Sequence, residues 1–381
     1  MTFHPHQSRA IGAVSLSVPR RAFLTGGAAA LALAGEAHAD APASLKALAA
    51  RTGRVFGAAV SWKQLDDPDF AALVREQCAI LTPEWEMKWG AVEATRYEPS
   101  YGPAVKIVNF ADANGLQVRG HAALWANNLP PWGRNALLAR GGDSAALTRL
   151  RQILQRFPDL ADWDVANEAL EPRNGRPDGL RNSALVTALG TNWIARSFFE
   201  ARKYAPKSKL YYNEYGVDYA DQQSEDRRTA VLRLLENLRK QNAPADGLGI
   251  QAHLRPGDKP FDAARYRAFL KDVAGLGFEI KITELDIDDK ILGPDVASRD
   301  ARVADETARY LDAALDEPAV MGVLCWGLSD RYSWLRRSKR FGRQDGVAAR
   351  PLPFDDKMRP KPMYEAIARA FRAAPQSRSP R

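Results

Sequence analysis

From Arg54 onward, short apolar runs alternate with longer stretches whose apolar residues recur at helical spacing. The runs read as strands buried on both faces, and the stretches between them as amphipathic helices, which is the pattern of repeated βα units. Eight strands are predicted: Arg54–Val60, Ala79–Thr82, Leu116–Leu124, Trp163–Ala166, Leu210–Asn213, Leu248–Gln251, Glu279–Thr283 and Val320–Trp326. Helices are predicted over Ser144–Phe157, Asn192–Tyr204, Ser224–Gln241, Phe261–Gly275 and Asp300–Leu315, with a last one over Lys361–Phe371. Asp262 is placed to cap the amino end of one of them. Pro206 stops the helix ending near Tyr204, and Gly275 and Gly277 bracket another helix exit. Near-continuous apolar strands, each followed by a helix, suit a closed parallel sheet better than an open doubly wound one. The expected fold class is therefore α/β, a single (β/α)8 TIM barrel. No linker rich in Pro, Gly or Ser divides it, so one domain is expected over residues 40–375, followed by a short basic tail, 376–381.

In such a barrel, functional groups collect where strands end, and polar and aromatic residues recur at those positions. The second strand runs into Glu84-Trp85-Glu86-Met87-Lys88-Trp89, and the third into His121-Ala122-Ala123-Leu124-Trp125. The fourth ends at Asn167-Glu168, the fifth at Asn213-Glu214-Tyr215, the sixth at Gln251-Ala252-His253 and the seventh at Glu284. The eighth ends at Trp326, with Trp334 following. Taken singly, a histidine at a strand end is usually structural and a tryptophan usually core; recurrence at the same end of seven of the eight strands is a different matter.

Glu168 and Glu284 each stand where a buried strand gives way to a loop, and two carboxyls facing one cleft can cleave a glycosidic bond. One must stay ionised as a nucleophile, which requires donors such as His253. The other must give a proton to the leaving oxygen and then take one from water. Asn167 is placed to bond a sugar 2-hydroxyl, and tryptophans offer flat apolar faces for sugar rings. The neighbouring acids have plainer readings. Asp162 and Asp164 are expected to cap or to pair with Arg and Lys, Asp286 and Asp288 to belong to loop structure, and Glu86 and Glu93 to be solvated or salt-bridged.

The Asn167-Glu168 and Thr283-Glu284-Leu285-Asp286 segments resemble strands four and seven of retaining glycosidases built on (β/α)8 barrels. Over Arg54–Phe371 the chain resembles glycoside hydrolase family 10, the endo-β-1,4-xylanases. The resemblance implies hydrolysis of internal xylosidic bonds of xylan or xylo-oligosaccharides by double displacement, with Glu168 as acid/base and Glu284 as nucleophile. It also implies that Lys88, His121, Trp125, Asn167, Gln251, His253, Trp326 and Trp334 bind the substrate, with Glu84 reaching the next sugar outward. Glu214 stands where the family commonly has Asp and is expected to support the site by hydrogen bonding. Two residues depart from the family pattern: Trp85 replaces an Asn and Ala126 replaces a His. Related barrel glycosidases on cellulose or mannan share the carboxylate pair, and a non-catalytic carbohydrate-binding barrel is the rival from another class.

Composition changes this picture little. The chain has 381 residues, 45% of them hydrophobic and 26% charged, an ordinary globular balance. The net charge is +8, of which residues 1–39 hold +2. No basic stripe interleaved with aromatics points to nucleic acid, and an anionic polysaccharide suits the balance. No metal-ligand spacing or phosphate-binding Gly-rich loop occurs, so neither metal nor cofactor is expected. The amino terminus reads as an address. Arg20-Arg21 precedes the small, apolar run Gly26–Gly35, and Ala37-His38-Ala39 supplies a cleavage site before Asp40. This resembles a bacterial Tat signal. The expected product is a monomer, handled as a precursor by the Tat machinery and exported to the periplasm or beyond, with no stable membrane insertion. Cys78 and Cys325 are expected to be small buried hydrophobes rather than a disulfide.

Overall fold

The computed structural model describes residues 43–380; the signal segment, 1–39, and the start at Asp40 lie outside them. Eight parallel strands form the barrel: β1 Val55–Val60, β2 Ile80–Pro83, β3 Gln117–Gly120, β4 Asp162–Asn167, β5 Lys209–Glu214, β6 Gly247–Ile250, β7 Glu279–Ile287 and β8 Val320–Cys325. Each pairs with its sequence neighbours, and β8 pairs with both β7 and β1, which closes the ring. The predicted (β/α)8 barrel is the observed fold.

Most strand ends fall within a residue of prediction, but three strands differ by more, and those differences matter for the site. The third predicted strand is broken. β3 ends at Gly120, and pairing with β4 resumes only over Leu124–Trp125. The sixth is broken likewise: after Ile250 the chain turns and pairs with β7 again over His253–Leu254. The seventh runs four residues beyond Thr283. His253 pairs with Asp286 and Cys325 with Leu285, so Asp286 belongs to the strand and not to a loop as expected. The tertiary pairing on both sides holds a segment whose polar residues had suggested a turn.

The helices lie outside the ring. Those over Gly142–Arg156, Trp193–Tyr204, Gln222–Lys240, Ala263–Gly275, Val296–Leu315 and Pro362–Ala373 correspond to the six predicted. Asp262 caps its helix as expected, accepting from the Ala264 and Arg265 amides. The fifth helix starts four residues early because Asp295 caps it by accepting from the Ser298 amide. Gly120 lets the sheet meet this outer layer: a Cβ there would lie 2.3 Å from the Trp163 ring.

The barrel interior is polar. Arg119 is fully buried and held by Asp162 (3.4 Å) and Asp164, and Lys281 also reaches Asp162. Asp162 and Asp164 therefore pair with cations as predicted. Beyond the last helix the tail returns under the barrel. The Ser377 amide donates to the Thr52 carbonyl and the Arg378 amide to the Pro318 carbonyl, each at 2.8 Å. Cys78 and Cys325 are free and buried, and burial pushes the Cys78 thiol up to about 12.

Candidate active site

Glu284 lies inside β7, and its amide donates to the Gln251 carbonyl at 3.0 Å. Its carboxylate accepts from Asn213 Nδ2 at 2.7 Å and faces His253 Nε2 at 3.2 Å. Burial opposes ionisation, but the His253 hydrogen bond and the positive fields of His121, His253 and Lys88 outweigh it and hold the carboxyl at about 2. His253 is gripped from its other side, with Nδ1 2.8 Å from Asp286, and Asp286 also accepts from Trp334 Nε1 at 2.7 Å. Burial disfavours the charged imidazole, yet Asp286 and Glu284 on either side hold its pKa well above the ordinary histidine value. An imidazolium donating at both nitrogens satisfies both carboxylates.

Glu168 follows β4 directly and is half-buried. Its amide donates to the Asn213 carbonyl (2.9 Å), and its carboxyl accepts from Gln251 Nε2 and Asn127 Nδ2, both at 3.0 Å. Its φ is +54°, and Ala252, at the end of β6, has φ +60°. Left-handed backbone costs a residue with a Cβ of order 1–3 kcal/mol and persists where surrounding structure enforces it. Here the strain aims the Glu168 side chain back over the barrel mouth.

Both glutamates line a cleft of about 840 Å3 at the carboxyl ends of the strands, together with Glu84, Lys88, His121, Trp125, Gln251, His253, Trp326 and Trp334. Lys88 Nζ sits 4.7 Å from the Trp125 ring centre and 5.3 Å from that of Trp326. Burial lowers its pKa against the fields of Glu284, Glu84 and Glu168. His121 Nδ1 lies 2.9 Å from Asp164, which ties the cleft to the polar barrel interior. Burial raises the Glu84 pKa against the pull of Arg337, which donates to it at 3.2 Å. Asn167 alone of the eleven predicted site residues does not line the cleft. It is buried behind Glu168, and its Oδ1 accepts from Asn213 at 2.9 Å. Trp85 lines the cleft and is 51% exposed.

Three residues escaped the sequence reading. Asn213 donates to both Asn167 and Glu284 while accepting from Thr283 Oγ1 at 2.8 Å. Asp286 stands two residues beyond Glu284 on the same strand face; ending the seventh strand at Thr283 concealed it. Asn127 lies in a short turn with no sequence signal. Glu214 supports the site as expected, accepting from the Leu170 and Tyr215 amides, and burial pushes its carboxyl up to about 7. Glu86 and Glu93 are corrections. Both are buried, and neither is solvated or ion-paired among the described residues. Glu86 accepts from Ser61 and the Trp62 and Trp85 amides, and Glu93 from the Tyr97 amide, because these tight loops leave amides that need acceptors.

The family model of glycosyl hydrolase family 10 matches residues 44–370. Endo-1,4-beta-xylanase A of Phanerodontia chrysosporium is 31% identical over 339 residues, covering 86% of this chain and 77% of that protein. Endo-1,4-beta-xylanase B of Thermotoga neapolitana is 30% identical over 315 residues, with 80% and 84% covered. Native xylanase 10B from Thermotoga maritima superposes with a TM-score of 0.75 at 28% identity, over 86% of this chain and 98% of that one. The xylanase 10B of Thermotoga petrophila RKU-1, solved in complex with xylobiose, also gives 0.75 at 28% identity, with 86% and 97% covered. With a matched model spanning the whole barrel, the chain belongs to glycosyl hydrolase family 10.

Proposed function

We propose that this glycoside hydrolase acts on xylan as a retaining endo-1,4-β-xylanase, with Glu284 as nucleophile and Glu168 as acid/base. The observation that carries the role assignment is the asymmetry between the two carboxyls. Glu284 is ionised between an imidazolium and an amide donor. Glu168 is half-buried at the cleft wall and, among the described residues, held only by neutral amides.

In the first step the Glu284 carboxylate attacks the anomeric carbon while the Glu168 carboxyl protonates the departing glycosidic oxygen. The negative charge on Glu284 is consumed in the new ester bond. Glu168, now a carboxylate, takes a proton from water as that water attacks the anomeric carbon and releases Glu284. Lys88, His121, Trp125, Trp326 and Trp334 bind the glycone, Glu84 meets the next sugar outward, and Gln251 and Asn167 hold the acid/base region. Residues 40–375 form the catalytic domain. The twin arginine, apolar run and Ala-x-Ala site of residues 1–39 support Tat export of a monomeric enzyme to the periplasm or the medium.

Glu284→Gln should abolish turnover of every substrate. Glu168→Ala should cripple xylan hydrolysis but spare the first step on aryl xylobiosides, whose leaving group needs no proton, and added azide should accelerate that variant. Equal loss of aryl-xylobioside cleavage in both variants would overturn the roles, and faster turnover of β-glucan or mannan than of xylan would overturn the substrate. For the export reading, replacing Arg20 and Arg21 by lysine should leave the precursor in the cytoplasm on fractionation; undiminished export contradicts a Tat route.

A further inference from the structure

A second cavity, of about 680 Å3, backs onto the loops that carry the outer glycone residues. The loop after β2 turns Lys88 into the catalytic cleft and its neighbour Trp89 into this cavity. The loop after β3 does the same with Asn127 and Trp132. The reaction uses none of the second set.

Among the described residues, three guanidinium groups line the cavity, those of Arg96, Arg140 and Arg149, against a single carboxylate, Glu93. The Glu93 carboxylate already accepts from the Tyr97 amide at 2.9 Å. Asp143, the acid nearest in sequence to Arg140, lies 3.5 Å from Arg196 instead. Arg149 is only 2% exposed; it donates to the Met87 carbonyl at 2.8 Å, and its Nε has no partner among the described residues. Trp89, 3% exposed, also has an indole N–H without an acceptor among the described residues. Both nitrogens are sealed behind the cavity wall, so the groups open to a ligand are the exposed guanidiniums of Arg96 and Arg140, with the Arg149 charge behind them. Burial draws the Arg149 guanidinium down to about 10, as befits a cation with no counter-charge in contact.

The cavity also has flat apolar walls. Trp132 stands edge-on to Trp89 with ring centres 5.8 Å apart. Tyr97 is 78% exposed and held with φ +68°. The Arg96 guanidinium lies over both Tyr97 (4.7 Å) and Trp132 (5.8 Å). Inorganic anions need no such faces, whereas a sugar ring stacks its C–H side on them. We propose that this cavity is a second glycan site for a uronate, a sugar ring bearing a carboxylate, as carried by acidic side groups of xylan. The carboxylate meets the arginines in charge-assisted hydrogen bonds and the ring rests on Trp132 and Tyr97. The choice of polymer rests on the xylanase reading; the affinity for an anionic sugar does not.

Titration of the full-length protein with D-glucuronate, D-xylose and inorganic phosphate, followed by NMR, tests the ligand. Glucuronate should bind most tightly, and the exposed pair Arg96→Ala/Arg140→Ala should weaken it roughly tenfold. In the same variant kcat/KM on an aryl xylobioside should stay unchanged. Arg149→Met, which removes a cation without a counter-charge, should fold and show the same loss. Affinity electrophoresis of Glu284→Gln in glucuronoxylan should show retardation that falls when the polymer's carboxyls are reduced. Phosphate binding as tight as glucuronate, or glucuronate binding indifferent to both sets of substitutions, overturns the proposal. An enzyme that binds glucuronate here yet fails to cleave xylan would instead overturn the xylanase reading and leave this site standing.

Discussion

Two carboxylates share one imidazole at the centre of the cleft, and their common demand for a donor fixes its charge. His253 lies 2.8 Å from Asp286 and 3.2 Å from Glu284. Its raised pKa means that the stabilisation it gives is complete below the ordinary histidine value and is lost as pH rises through the elevated one. Glu284, held at about 2, behaves in the opposite sense: its contribution is complete above the ordinary glutamate value and is lost as pH falls toward 2. Asp286→Asn removes a partner of His253 without touching Glu284. His253 should then titrate closer to the ordinary histidine value by NMR, and kcat/KM should fall off at lower pH on the alkaline side as the imidazole loses its proton, while the acid limb, where the imidazole stays charged, should not move up. An unmoved His253 titration and alkaline limb, with the fold intact, would show that Asp286 only packs. Sequence reached Glu168, Glu284 and His253 because each ends or follows an apolar run. It missed Asp286 and Asn213, whose roles depend on which strands lie side by side.

At the scale of strands, the glycines separate stability from catalysis. A Cβ on Gly249 in β6 would lie 2.2 Å from Asn213 Oδ1, the amide whose nitrogen holds Glu284. Gly249→Ala should therefore displace Asn213 and cut kcat on the order of 100-fold through misplacement of the nucleophile, with binding of xylo-oligosaccharides largely kept. Gly120→Ala meets the Trp163 ring on the outer side of the barrel. That overpacking should cost about 1–3 kcal/mol of stability while leaving kcat of the folded fraction near the parent value. Thermal melts and single-turnover rates on the pair check the contrast, and equal effects of both changes on kcat would refute it. Periodicity gave the eight strands and their order of helices. The breaks in the third and sixth strands were not readable, since neither Leu116–Leu124 nor Leu248–Leu254 holds a Pro, Asn or Asp to mark one and only the turns at His121 and Ala252 interrupt their pairing.

Across the whole molecule, chemistry gathers at one end of the barrel and closure at the other. The closed ring was legible from the strand count alone, but not its polar interior around Arg119 nor the return of the tail, because charged residues on buried strands and a Ser/Arg-rich terminus look like surface. Arg54 is the link between tail and barrel. Its Nε donates to the Val320 carbonyl at 2.8 Å, one Nη donates to the Leu315 carbonyl at 3.0 Å and the other to the Pro375 carbonyl. Burial draws this guanidinium down to about 10, so each lost acceptor is felt in full. Ending the chain at Ala374 removes the Pro375 acceptor and the tail bonds to Arg51, Thr52, Gly53 and Pro318. Set against the ordering entropy recovered, the net loss should be about 2–3 kcal/mol. Tm should fall by roughly 5 °C, with kcat/KM at room temperature unchanged because the catalytic mouth lies at the opposite end. In a double-mutant cycle, Arg54→Met and the truncation should be non-additive, since both remove the same contact. Strict additivity would mean that the tail is held by its backbone alone and that Arg54 serves only the barrel floor.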